Sequence, residues 1–187
     1  EAMKQPRLML ISGERESGKT SLCASILAAY RRQAGALAQA SGVLSPAVIV
    51  DGVKTGIDAL SVASGQRRPL ARLRTEASGG LMTAQWDFIE ATVDWVNSLL
   101  SETGETELLI VDELGPLELA RGEGFMAAVP LLQTGRYRVA LAVVRCELLP
   151  SARKILPVSD VIEIGQLAEV ESPVRELLAN LTGGANP

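Results

Sequence analysis

At 187 residues, 47 % hydrophobic and 21 % charged, the chain suits one globular domain with a real core and excludes a disordered polymer. A net charge of −4 and an aromatic content of 3 % argue against a dedicated nucleic-acid surface, which would need a basic face or a stacking platform. No run approaches the ~20 apolar residues of a membrane span, and the N-terminus lacks the apolar core of a secretory signal, so a cytoplasmic location without a membrane partner is expected. There is no histidine. Any general base is therefore a carboxylate or a lysine, and His-based triads and zinc sites are excluded. Cys23 and Cys146 lack metal-ligand spacing and read as reduced, buried small hydrophobes.

Leu8, Met9, Leu10 and Ile11 read as a short buried strand. The strand runs into Gly13-Glu14-Arg15-Glu16-Ser17-Gly18-Lys19-Thr20, which fits the pattern G-x-x-x-x-G-K-[S/T] without a gap. Cys23, Ile26, Leu27 and Tyr30 follow at helical spacing. Strand, glycine loop and helix together make a triphosphate site, because N–H groups at the helix start and the helix dipole both favour negative charge there. Lys19 would reach the β- and γ-phosphates, and the Thr20 hydroxyl would hold Mg²⁺. The expected nucleotide-binding set is Gly13, Glu14, Arg15, Glu16, Ser17, Gly18, Lys19, Thr20 and Ser21. Glu14 and Glu16 are tolerable beside phosphate only if they point outward or pair with arginine. Arg15 either pairs with one of them or faces the nucleotide.

Gly35 is a plausible helix stop. A strand is predicted over 42–50, with Pro46 marking an edge or bulge. Asp51-Gly52 is a hairpin signal, 56–62 the returning strand and 70–73 a third short strand after a turn at Ser64-Gly65-Gln66. Residues 42–74 thus read as a small antiparallel insertion. Arg67, Arg68, Arg72 and Arg74 crowd its end, as a solvated basic loop or as a flap facing phosphate. A loop at 77–80 precedes a long helix predicted over 83–100, with Trp86, Ile89, Val93, Val96 and Leu100 on its buried face. The aromatics Trp86, Phe88 and Trp95 read as core. A polar linker follows at 102–107.

Leu108-Leu109-Ile110-Val111-Asp112-Glu113 is the second decisive element. Four apolar residues in a row read as a strand buried on both faces. The two acids at its C-terminal end would project where open α/β sheets bind ligands. This is the pattern of a Walker B strand, whose aspartate helps hold Mg²⁺. Gly115-Pro116 turns the chain. A helix is predicted over 122–132, kinked or ended at Pro130, then a buried strand over 137–145, a short helix over 147–156, a strand over 158–164 and a helix over 170–181. Alternating strands and helices predict a three-layer α/β fold with a mainly parallel sheet, as one domain over 3–182 with a flexible tail at 183–187.

The glycine loop, Gly56-Ile57-Asp58 with Ser64-Gly65 and Pro69-Leu70-Ala71, and Val111-Asp112-Glu113-Leu114-Gly115-Pro116-Leu117-Glu118-Leu119 together resemble the small thermophile-type nucleoside-triphosphatase family. That family includes the vertebrate cancer-related nucleoside-triphosphatase. The segment D-E-x-G-x-x-E-L is its more specific part. The resemblance implies a RecA-like P-loop core, an inserted β-hairpin, and Mg²⁺-dependent hydrolysis of ATP, GTP and other nucleoside triphosphates to diphosphate and phosphate. It places Gly13, Gly18, Lys19 and Thr20 on phosphate and metal, Asp112 on the metal water and Glu113 on the attacking water. Glu118 matches the family's glutamate without an assigned role. The chain departs from the family's usual pattern in having Glu14-Arg15-Glu16 inside the loop and Pro116 where lysine is commoner.

The residues themselves predict an in-line reaction in which positioning and charge neutralisation do most of the work. With histidine absent, Glu113 is the candidate to orient water and Lys19 to neutralise phosphate charge. Arg145, just after a predicted buried strand, is the first candidate for a transition-state arginine. Arg15 and the arginines at 67, 68, 72 and 74 are the others. Two alternatives use the same loop: a kinase passing the γ-phosphoryl group to a nucleoside or nucleotide, and a nucleotide-dependent switch controlling a protein partner.

Overall fold

A computed structural model describes residues 5–75, 80–165 and 167–182. The loop expected at 77–79 and the tail at 183–187 lie outside them. In chain order the first elements are β1 (Arg7–Gly13), α1 (Lys19–Ala34), β2 (Ala40–Leu44), β3 (Ala47–Val50), β4 (Val53–Ser61), β5 (Arg67–Leu73) and β6 (Trp86–Phe88). They are followed by α2 (Glu90–Ser101), β7 (Thr106–Leu114), α3 (Ala128–Thr134), β8 (Tyr137–Val144), α4 (Leu149–Ile155), β9 (Val158–Ile164) and α5 (Leu167–Thr182).

The near-continuous apolar runs of β1, β7 and β8 are buried on both faces, as strands inside a parallel sheet must be. They form the parallel order β2-β7-β8-β1-β9. Side chains alternate across this sheet. Met9, Ile11, Leu108 and Ile110 pack against Cys23, Ile26 and Leu27 of α1 and Leu177 and Leu181 of α5. Leu8, Leu10, Leu109 and Val111 pack on the other face with Val93, Val96 and Leu100 of α2 and Leu131 and Leu132 of α3. The result is the expected three-layer α/β fold.

Beyond β2 the sheet continues in antiparallel fashion through β4, β5 and β6, with β3 folded onto β4 as a hairpin. Asp51 (φ 49°) and Gly52 (φ 76°) both take left-handed conformations, as a two-residue hairpin loop requires.

Several boundaries differ from the sequence reading. The strand predicted over 42–50 is two strands, broken at Ser45-Pro46, because proline cannot donate to a ladder. Its first half belongs to the parallel core, paired with β7, and the antiparallel part runs on to Phe88. The N-terminal part of the helix predicted over 83–100 is β6, where aromatic residues pair with β5. The helix predicted from 122 begins at Ala128, after a π-helical turn at Leu117–Arg121. Pro130 then sits in the first turn, where its missing N–H leaves no hydrogen bond unmade. Cys23 is buried as expected, but Cys146 is exposed, because it follows β8 at the open C-terminal edge of the sheet.

Gly42 lies where β2 passes closest to β7. Its φ is +108°, and a Cβ there would stand 1.9 Å from the Ile110 carbonyl oxygen. Gly42→Val is expected to destabilise the fold by more than about 2 kcal/mol, measured as a lowered urea midpoint.

Candidate active site

The glycine loop joins the end of β1 to the first turn of α1. Gly18 precedes the helix in a left-handed conformation (φ 92°), and no side chain caps the helix start. The first-turn N–H groups are therefore directed at whatever anion the loop admits. Glu16 also has a positive φ of 60°, and Ser17 N–H donates to the Glu14 carbonyl at 3.2 Å, so the chain turns tightly. Lys19 is 8 % exposed. Its ammonium donates to the carbonyls of Gly13 (3.0 Å) and Glu14 and to Ser17 Oγ (3.4 Å). These are neutral partners, and they hold the charge of Lys19 over the loop.

Glu14, Arg15 and Glu16 are exposed, and Arg15 and Glu16 line the central cavity. Arg15 Nη1 donates to Gln85 Oε1 at 2.7 Å, spanning from the loop to the segment before β6. Arg15 thus bridges to another residue of the cavity lining, and no ion pair with Glu14 or Glu16 is seen among the described residues.

Asp112 is 1 % exposed. Its Oδ2 accepts the Ser45 backbone N–H at 2.9 Å, and the Thr20 side chain lies near enough to favour the charged carboxylate. Ser45 Oγ donates back to the Asp112 carbonyl at 2.7 Å. Burial pushes the Asp112 carboxyl up to about 6, against the opposing pull of the Ser45 N–H, Thr20 and Lys19, with Glu113 adding to the rise. Ser45 escapes a sequence reading of the site. Its only signal is a Ser-Pro step at the end of a strand.

Between the pairs Val111–Ala142 and Leu114–Val144, two residues of β7, Asp112 and Glu113, stand opposite one of β8, Val143. The extra residue is a bulge, and it re-aims the acids. Glu113 takes a φ of 115°, rare for a residue with a Cβ. Its Oε1 accepts Arg145 Nε at 3.0 Å, and both side chains are part-exposed. The two groups predicted at the strand ends are thus brought together. The arginines of β5 are not. Arg67 pairs with Asp58, Arg68 stacks on Trp95 at 4.4 Å and Arg74 donates to the Thr83 carbonyl. None of Arg67, Arg68, Arg72 and Arg74 lines the central cavity.

Glu118 gains a structural account. Its Oε2 accepts Gly115 N–H at 2.8 Å and its Oε1 accepts Phe125 N–H at 2.9 Å. Burial raises its pKa despite those bonds. Asn97 of α2 clamps the same segment, donating to the Gly124 carbonyl (2.9 Å) and accepting Ala127 N–H (3.0 Å). The glutamate therefore holds the chain that follows the acids.

A cavity of about 680 Å³ connects these parts. It is lined by Arg15 to Ser21 of the loop, Ser45, Asp112, Glu113 and Arg145, and continues under the antiparallel strands. Gly13 lies behind the lining, where an added Cβ would meet Ser17 Oγ at 2.6 Å. Among the described residues no group of three or more acids or cysteines gathers to hold a metal alone. The adjacent hard oxygens of Thr20 and Asp112 fit an ion that draws its remaining ligands from phosphate and water, as Mg²⁺ does. No helix among the described residues is long and apolar enough to cross a membrane.

A family model described as NTPase matches residues 8–180. A solution structure of a human cancer-related nucleoside triphosphatase is similar over 96 % of this chain and 100 % of that one, with a TM-score of 0.69 at 17 % identity. The crystal structure of THEP1 from the hyperthermophile Aquifex aeolicus is similar over 93 % of this chain and 98 % of that one, with a TM-score of 0.65 at 16 % identity. At such identities the likeness speaks for the fold. No curated protein sequence matches.

Glu118→Ala strands two part-buried N–H groups. It is expected to cost about 2 kcal/mol or more of stability in urea denaturation. Hydrogen exchange at the Gly115 and Phe125 amides should quicken beyond the change seen in β1.

Proposed function

We propose, from the premise that the chain belongs to the NTPase family and is a nucleoside triphosphatase, that it hydrolyses ATP, GTP and other nucleoside triphosphates to diphosphate and phosphate with Mg²⁺. The observation that carries this reading is the convergence of Lys19, Thr20, Asp112 and Glu113 on one cavity. The loop amides and Lys19 bind the β- and γ-phosphates, for which Lys19 exchanges neutral carbonyl partners for phosphate oxygens. Thr20 and Asp112 would hold Mg²⁺, which would supply neutralisation of the phosphate charge. Ser45 N–H fixes the Asp112 carboxylate so that one oxygen is committed and the other is free to act.

Glu113 orients the attacking water and accepts its proton. Arg145 holds that carboxylate in the free enzyme and supports developing charge on the γ-phosphoryl group in the transition state. Because Arg145 belongs to the same chain, turnover requires no partner protein. Broad acceptance of bases follows from a site in which the named polar contacts all lie at the phosphate end.

Glu113→Gln keeps the shape but not the base. Its turnover is expected to fall by about 10²–10⁴-fold while the affinity for a non-hydrolysable triphosphate stays near wild type. Single-turnover phosphate release with Mg²⁺ decides this; a normal rate would refute the assignment. Arg145→Ala is expected to lower kcat by about 10²-fold or more, measured by the same assay. Recovery in Arg145→Lys would assign its contribution to charge, and no recovery to the planar guanidinium.

A further inference from the structure

The cavity does not end at the phosphate loop. It runs past Ser45, Asp112 and Glu113 into a chamber walled by Ile57, Leu70, Trp86, Phe88 and Phe125. Four of these, Ile57, Leu70, Trp86 and Phe125, are under 9 % exposed. Phosphate binding has no use for such walls. It needs charge and N–H groups, and the loop supplies both. Polar groups stand at the chamber's rim. Lys54 Nζ lies 5.1 Å from the centre of the Trp86 ring, and Gln85 is tied to Arg15.

Sheet order sets the direction of this chamber. The phosphate loop follows β1, the acids follow β7, and the chamber belongs to strands beyond β2. A γ-phosphate facing Glu113 therefore stands between loop and chamber. In an in-line displacement the nucleophile enters opposite the leaving oxygen. A nucleophile held in the chamber would reach a γ-phosphate from the side away from the loop.

The geometry points to an acceptor site: the chamber binds a nucleoside, and the enzyme passes the γ-phosphoryl group to its sugar hydroxyl. A flat base suits aromatic and apolar walls, and its ring nitrogens and carbonyls suit Lys54 and Gln85. The acceptor oxygen bonds to the γ-phosphorus. The bond from that phosphorus to the β–γ bridging oxygen breaks, its electron pair leaves with the diphosphate, and the hydroxyl proton passes to Glu113. Hydrolysis is the same step with water in the acceptor's place. The inference rests on the role given to Glu113 above.

The test uses the full chain with Mg²⁺, ATP labelled at the γ-phosphate, and adenosine, guanosine, cytidine or uridine in turn. The expected result is label in the monophosphate of at least one nucleoside, with a matching fall in free phosphate. Ala47→Trp projects into the chamber from an exposed edge position outside the phosphate site. It is expected to cut transfer by about 10²-fold while leaving hydrolysis without nucleoside unchanged. Quenching of wild-type tryptophan fluorescence by the accepted nucleoside, lost in Trp86→Phe, gives a readout that does not depend on that variant folding. Normal hydrolysis with no label in any nucleoside overturns the acceptor site and leaves the hydrolase reading standing. Absence of both reactions strikes at the hydrolase reading itself. Transfer that survives in a folded Ala47→Trp protein, or a nucleoside that leaves Trp86 unquenched, overturns the chamber as its location.

Discussion

A single buried carboxylate governs the arrangement of this molecule. Asp112 is almost wholly removed from water, which is tolerable only for a group that finds polar partners. Ser45, at the end of β2, supplies them through its backbone N–H and holds the Asp112 carbonyl with its hydroxyl, and Thr20 in the first turn of α1 lies beside the carboxylate. Three segments far apart in sequence are thereby locked to one another at the mouth of the sheet. The glycine at position 42 makes the same closure possible one strand turn earlier, by letting β2 approach the Ile110 carbonyl. Phosphate loop and acids can hold a common geometry because this buried group fixes their spacing.

The residues that announce the site are those whose chemistry fixes their spacing along the chain. The eight-residue glycine loop, the apolar run of β7 and its terminal acids are visible because each lies within one short segment. Arg145 is visible for a related reason, as the residue at the end of a buried strand. Ser45, Gln85 and Asn97 are not, since each acts through a partner more than 25 residues away. The strand β6 is similarly hidden. Trp86 and Phe88 fit a helical face as well as a strand, and only pairing with β5 decides between them. The arginines on β5 show the opposite failure. Their clustering in sequence implies a common target, yet the strand sends them to an aspartate, a tryptophan and a carbonyl.

The sheet changes character at β2. On one side lie parallel strands, covered by helices on both faces, whose ends carry the glycine loop and the acids. On the other lie antiparallel strands whose share of the wall is mainly apolar, with Lys54 at its rim. These two halves meet along Ser45-Pro46, where the proline ends the ladder and the serine grips Asp112. The cavity spans the junction, so the polar half and the apolar half line one continuous space. Glu118 and Asn97 hold the segment that forms its floor, which makes the D-E-x-G-x-x-E-L stretch a structural unit as well as a chemical one.

The backbone at Glu113 bears on how such a protein tolerates change. A φ of 115° is easy for glycine and costs a residue with a Cβ about 1–3 kcal/mol. Folding alone would favour glycine there. Under the role proposed for Glu113, a chain selected for thermal endurance without regard to turnover would drift toward losing this carboxylate, gaining stability and silencing itself in one step. The most durable version of this molecule and the working version differ at the same residue.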